Sequence, residues 1–139
     1  MPKYLLLKHY RGGPTPHHPV PPMDQWDPAD VEAHMAFLQH VTDLLRKNGE
    51  YVDAQGLTPV RTWVRYGGPD AAPVITDGPH PETSDLVAGW WMIDVESHER
   101  AIELAAYASS EPGPGGRPMY EWIDVREVMS DAPSDERSA

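Results

Sequence analysis

Apolar residues cluster in two short segments of the chain, and a helical pattern separates them. Residues 3–10 (KYLLLKHY) and 89–95 (GWWMIDV) are rich in aliphatic and aromatic side chains, which is typical of strands. After the first segment, Asp27 is a suitable N-cap, Pro28 fits the first helical position and Gly49 is a usual C-terminal stop. The pattern therefore predicts a strand, a long helix over residues 28–47 and a later, confident strand.

The rest of the chain supplies a second helix and further strands. TWVRY and PVIT flank a Gly-Gly-Pro-Asp turn and predict a hairpin, while EYVDAQGLTP before them predicts a strand or an extended arm. Ser97 precedes a second helix with one apolar stripe, formed by Ala101, Leu104, Ala105 and Ala108. YEWIDVREV predicts the last strand. The order β-α-β-β-(β)-α-β is typical of a ferredoxin-like α+β sandwich with antiparallel strand pairs.

Aromatic residues fall on both faces of the predicted sheet. Trp90 and Trp91 are adjacent and must point to opposite faces, and Tyr120 and Trp122 share one face of the last predicted strand. Two helices can cover only one face, so the other would be an exposed apolar patch. We expect a second copy of the chain to cover it, as in a symmetric homodimer. The alternative is a monomer with one wet sheet face.

Length and composition favour one soluble domain. The chain has 139 residues, a size typical of one domain, which we place at residues 1–129, followed by an acidic tail (130–139) that we expect to be disordered. A net charge of −11 argues against nucleic-acid and anionic-membrane partners. The chain has no cysteine, which excludes disulfides and thiolate chemistry and leaves the redox compartment open. Its N-terminus lacks a signal-peptide or membrane-spanning run, so we expect a cytoplasmic protein.

His34 is the first candidate for chemistry. On a helical wheel it falls within the apolar arc of the first helix, beside Leu38 and Val41, whereas His40 falls on the polar side. A histidine in that place needs a hydrogen-bond partner. Two interpretations stay open: a core histidine bonded to a backbone carbonyl, or a general acid or base facing a cavity between helix and sheet.

The segment TDGPHPETSD supplies candidate partners for that histidine. Gly78 and Pro79 fix a bend, and Asp77 either caps this turn or points inward as the carboxylate that orients the imidazole. His80 and Glu82 follow within reach of the same cavity mouth, although a plain surface loop explains them equally well.

The other motifs of the sequence do not indicate a metal, cofactor or nucleophile site. His17 and His18 stand between prolines with no third ligand in register, so we expect no metal site. The chain has no nucleophile elbow, zinc-protease motif or dinucleotide fingerprint, and we expect no cofactor. The proline-rich loop 12–22 is long enough to act as a lid.

The stretch TDGPHPETSDLVAGWWMIDVESHERAIELA resembles the YCII-related proteins, in particular the DGPF branch with its DGPF-A-E-T-K-E run. The order of a KYLLL start, a V-E-A-H-M-A-F-L helix and a closing V-R-E-V-M is similar too. The matching positions are His34 on the helix and, in the turn, Asp77, Gly78, Pro79, Glu82 and Thr83. The chain departs from the family at His80, where members have phenylalanine, and at Ser84, where they have lysine.

This resemblance implies a ferredoxin-like fold that forms a dimeric α/β barrel, with a small-molecule pocket between each sheet and its helices. It also implies a cofactor-free lyase or isomerase in which His34 is the acid or base and Asp77 orients it. Gly78, Pro79, His80, Glu82 and Thr83 would then line the substrate site. The alternative is a non-catalytic accessory module that associates with an extracytoplasmic-function sigma factor.

Overall fold

The computed structural model describes residues 1–14, 20–76 and 85–129. Within these ranges the chain forms six strands and two α-helices. In chain order they are β1 (Lys3–Arg11), α1 (Pro28–Lys47), β2 (Tyr51–Gly56), β3 (Trp63–Arg65), β4 (Val74–Thr76), β5 (Leu86–Asp94), α2 (His98–Ala108) and β6 (Asp124–Glu127). The predicted α+β class is confirmed.

The main sheet has four strands in the order β2-β5-β1-β6, and every neighbouring pair is antiparallel. β1 and β5 form its centre, with Leu6 opposite Trp91 and Leu7 opposite Trp90. Each helix connects one central strand to the strand at an edge. The connections β1-α1-β2 and β5-α2-β6 therefore make two β-α-β units on one sheet, which is the predicted element order.

Both helices pack on the same face of this sheet. The buried residues of that face come from β1 and β5, and those above it from α1 and α2; together they form one core of Tyr4, Leu6, Val41, Leu45, Trp91, Ile93, Val95, Ala101, Leu104, Ala105 and Ala108. The predicted stripe of the second helix is wholly buried. In α1 the apolar residues Val41 and Leu45 are buried, whereas Met35 is 53% exposed beside an open cleft.

The ends of the helices follow the sequence signals. Gly49 has φ 73°, and Glu50 N–H donates back to Leu45 O at 2.8 Å, which closes the last turn of α1. Ser97 Oγ accepts from Arg100 N–H at 3.1 Å, so the predicted cap of α2 is confirmed. Asp27 occupies the N-cap position of α1, but its carboxylate makes no capping hydrogen bond there; its backbone carbonyl accepts from Asp30 N–H.

The predicted hairpin forms a sheet of its own. β3 pairs with β4 antiparallel, from Trp63 opposite Thr76 to Arg65 opposite Val74. Its strands are exposed along their whole length. A two-stranded ribbon is only marginally stable alone.

The last strand is shorter than predicted. β6 begins at Asp124, and Tyr120, which was expected on it, has φ 49°. The prediction that Tyr120 and Trp122 share a strand face is therefore wrong. Glu121, which stands between these two residues, points inward and accepts a hydrogen bond from Lys8 of β1. This contact is the reason that the backbone departs from the strand here.

The far face of the sheet carries partly buried side chains that neither helix covers. Leu5 and Leu7 of β1 lie opposite Met92 and Trp90 of β5 on this face. As predicted, Trp90 and Trp91 point to opposite sides, and only Trp91 belongs to the helix-covered core. Among the described helices none is long and apolar enough to cross a membrane.

Candidate active site

His34 is buried under the loop that precedes the helix and beside the loop that follows α2. The residue is 4% exposed. Its Nδ1 lies 2.9 Å from Pro112 O, and the Trp26 ring meets it edge-on at a centroid distance of 5.4 Å. Trp26 is itself held by a bond from its indole N–H to Pro21 O at 2.7 Å. The imidazole is thus fixed in position and orientation.

The bond to Pro112 also decides which ring nitrogen carries the hydrogen. A carbonyl oxygen can only accept, so Nδ1 donates, and Nε2 carries the lone pair of the neutral ring. Burial has the largest effect on the His34 pKa and lowers it from 6.5; the Pro112 bond opposes this, Lys8 lowers the pKa further and Glu121 raises it. His34 is therefore a neutral base near pH 7.

Beside His34 lies a buried cluster of three charged residues, which we call the Lys8 cluster: Lys8, Glu111 and Glu121. Lys8 Nζ donates to both carboxylate oxygens of Glu111 at 2.5 Å and to Glu121 Oε1 at 2.6 Å. The three residues are 9%, 0% and 7% exposed. Strand β1 places Lys8 on the core side, since Tyr4, Leu6 and Lys8 alternate inward.

The two carboxyl groups of the cluster compete for one cation. Burial raises the pKa of Glu121 from 4.5 to about 7; Lys8 opposes this, and the neighbouring Glu111 adds to it. Burial therefore favours the protonated form of Glu121 well above the usual range of a carboxyl. This carboxyl and the neutral imidazole of His34 line the same cavity.

The loop between α2 and β6 that carries Glu111 and Pro112 is fastened to the rest of the fold. Met119 N–H donates to Glu111 O at 2.9 Å, and Gly115 N–H donates to Asp30 Oδ2 on α1 at the same distance. A side chain at Gly113 would meet Met119, with its Cβ 2.7 Å from Met119 Cγ. The loop therefore holds the acceptor of His34 and one carboxylate of the Lys8 cluster in fixed places.

These groups line a cavity of about 120 Å³ between the loop before α1, the sheet and the loop after α2. Its wall includes Trp26, His34 and the Lys8 cluster. A second cleft, of about 310 Å³, lies between α1 and the strands β2 and β5. Lys8 and Ala88 line both spaces, so a molecule in the small cavity has an apolar cleft next to it.

A third cleft, of about 540 Å³, is a weaker candidate. Its titratable side chains are His9, Asp85, His98 and Asp124. All but His9 are exposed to solvent, whereas His34 and the Lys8 cluster are buried. No three histidine or acidic residues of the described ranges are placed to hold a metal ion.

Of the predicted site residues, the structure describes His34 alone. It bonds to a backbone carbonyl, as the first interpretation states, and it also lines a cavity. Its role as a general acid or base stays a prediction. The turn residues Asp77, Gly78, Pro79, His80, Glu82 and Thr83 lie outside the described residues, as do residues 15–19 of the loop 12–22, with His17 and His18, and the tail 130–139.

Sequence reasoning missed the Lys8 cluster. Two signals were present: a lysine at an inward position of a strand, after Tyr4 and Leu6, and Glu121 between two aromatic residues. Neither signal says which residues meet, since Lys8 is separated from Glu111 by 103 positions and from Glu121 by 113.

Comparison with family models and with curated proteins gives no match for this chain. The resemblance to the YCII-related family accordingly stays a prediction.

Proposed function

We propose that this protein binds a small organic molecule beside His34 and moves a proton on it without a cofactor, as a lyase or isomerase does. The observation that carries this proposal is the fixed imidazole: Nδ1 is tied to Pro112 O, which leaves Nε2 as the basic nitrogen of a ring that lines a cavity. The lowered pKa of His34 keeps that nitrogen unprotonated at neutral pH.

The volume of the cavity limits the reacting part of the substrate. A space of about 120 Å³ equals roughly four water molecules at ~30 Å³ each. The reacting fragment therefore has only a few heavy atoms. A longer substrate would extend past Lys8 into the cleft lined by Met35, Leu38 and Trp91.

Asp77 keeps its proposed role as the carboxylate that orients His34. Among the described residues, the group that holds His34 is the Pro112 carbonyl, and the acidic group that acts on its pKa is Glu121. If Asp77 adds to these, Asp77→Asn lowers the His34 pKa further, because a nearby negative charge favours the imidazolium form.

We further propose that the sheet is ferredoxin-like and pairs with a second copy to form a dimeric α/β barrel. Support comes from the strand order β2-β5-β1-β6 and from the uncovered face that carries Leu5, Leu7, Trp90 and Met92. Sedimentation tests the dimer: twice 15.5 kDa, about 31 kDa, is expected.

Leu7→Asp places a charge in the middle of that face, so we expect it to give the monomer mass. Val60→Asp, at a residue that is 82% exposed, is the matched control and should leave the dimer intact. A wild-type mass near 15.5 kDa at micromolar concentration would refute the dimer.

Proton abstraction can be measured before the natural substrate is known. Hydroxyacetone, pyruvate and 2-butanone carry exchangeable C–H bonds next to a carbonyl, and NMR in D₂O follows their deuteration. We expect wild-type protein to accelerate exchange of at least one of them, and His34→Gln to slow it by about 100-fold or more. His40→Gln, at an exposed histidine of the same helix, is the control. The absence of wild-type exchange with every probe would refute the proposed chemistry.

A further inference from the structure

The Lys8 cluster contains more carboxyl groups than its one cation can neutralise. The three N–H donors of Lys8 are all engaged, two on Glu111 and one on Glu121. A second ionised carboxylate in this buried place has no cation of its own, and burial of an unpaired charge is unfavourable. One carboxyl of the pair therefore keeps a proton.

The geometry indicates which carboxyl that is. Glu111 is fully buried and contacts Lys8 through both oxygens, as an ionised partner does. Glu121 contacts Lys8 through Oε1 alone, so its second carboxyl oxygen is not bound to the lysine. Glu121 is thus the carboxyl that holds the proton, and it lines the same cavity as His34.

We propose that Glu121 is the general acid that works with His34, on a small carbonyl compound that has a C–H bond next to the carbonyl. This inference rests on the proposed function and adds the second proton-transferring group to it. A lone base would leave a negative charge on the substrate oxygen, and a carboxyl nearby removes that charge as it develops.

The step balances without any further reactant. His34 Nε2 takes the proton of the carbon, and the electrons of the broken C–H bond form a C=C bond. The π electrons of the carbonyl bind the proton of Glu121, which gives an enol, an imidazolium and a carboxylate beside Lys8. Return of a proton to carbon and of the enol proton to Glu121 restores both groups.

Several charged or titratable groups face Glu121 and set its protonation. The charged ones that act on its pKa are Lys8 on β1 and Glu111 after α2, while His34 on α1 and His9 and Tyr10 of β1 line the same cavity. Lys8 favours the ionised form and Glu111 the protonated form. Glu111→Gln should therefore lower the pKa at which Glu121 titrates.

The test is the pH dependence of probe deuteration in wild type, Glu121→Gln and the surface control Glu32→Gln. We expect wild-type exchange to fall on the alkaline side of about pH 7 as Glu121 loses its proton. Glu121→Gln should be slower by about 100-fold and lack that alkaline fall. Glu32→Gln should match wild type in both respects.

The outcomes separate this inference from the proposed function. If His34→Gln loses exchange while Glu121→Gln keeps the wild-type rate and alkaline limb, Glu121 is not the acid and His34 remains the base. If wild type exchanges none of the probes, both proposals fail.

A second measurement, on wild-type protein, tests the proposal even if Glu121→Gln does not fold. Carbon-13 NMR of the glutamate carboxyls in wild type gives the pH at which Glu121 titrates. Coincidence with the alkaline limb of exchange supports the proposal. Titration in the ordinary range near 4.5 overturns it.

Discussion

Replacing Glu121 by glutamine should stabilise the protein at alkaline pH, although it removes one member of a buried ion cluster. Glutamine has the shape of a protonated glutamate: its Oε1 can accept from Lys8, and its amide N–H group donates as the carboxyl O–H does. Unlike glutamate, it cannot ionise. The substitution therefore isolates the free energy of ionising Glu121 inside the fold.

The magnitude follows from the raised pKa. The folded pKa of Glu121 is about 7 and the unfolded value 4.5. A carboxyl with a raised folded pKa contributes stability that is fully present below pH 4.5 and is lost as pH rises through about 7. The difference of about 2.5 between the two pKa values, at 1.36 kcal/mol each, corresponds to ~3 kcal/mol. Glu121→Gln cannot ionise, so its free energy of unfolding does not fall in this way as pH rises.

Urea unfolding, followed by the fluorescence of the five tryptophans, measures the effect. At about pH 4.5 we expect the variant and wild type to be equally stable; at about pH 8.5 the variant should be more stable by ~3 kcal/mol. Taking the difference cancels the titrating groups that do not interact with Glu121. Glu32→Gln should show no such change. A Glu121→Gln variant that is less stable than wild type at alkaline pH would refute the reasoning.

Three further predictions concern the same region. Lys8→Met leaves Glu111 and Glu121 without their cation and should destabilise the protein by ~3–5 kcal/mol at neutral pH in urea unfolding; an effect below about 1 kcal/mol would contradict the ion cluster. Thr42→Val removes the acceptor of the Trp91 indole N–H at 3.1 Å, and we expect a loss of ~1–3 kcal/mol in the same assay. By NMR, His34 should titrate below 6.5, and a value above it would show that burial does not dominate its pKa.

Local signals predicted most of the fold. Proline, glycine and serine marked the ends of α1 and α2, and runs of aliphatic and aromatic residues marked β1 and β5. These signals act within a few residues, so they can be read without knowledge of the tertiary structure. The last strand was predicted too long for a different reason. Residues 120–123 have a strand-like composition, but the tertiary bond from Lys8 to Glu121 fixes the backbone there instead.

The candidate site was predictable only in part. The helical wheel identified His34 because a polar residue on the same helix face as Leu38 and Val41 can be recognised from the sequence alone. Its partner Pro112 lies 78 positions away and offers a backbone carbonyl, which no side-chain pattern can reveal. The Lys8 cluster likewise depends on contacts between the first strand and the two ends of a loop far along the chain.

The Lys8 cluster is better explained by chemistry than by stability. Buried ion clusters are often no more stable than apolar residues of the same volume, because the loss of hydration offsets the attraction between the charges. The core already has Leu6, Val41 and Leu45 at close to full burial, so apolar side chains in place of all three charged residues would extend it at no loss of stability. Two carboxyls on one lysine even disfavour folding as pH rises. What the arrangement does supply is a proton held beside His34, the only buried histidine among the described residues. A site that must take one proton and give another needs that combination, and a site that only has to pack does not.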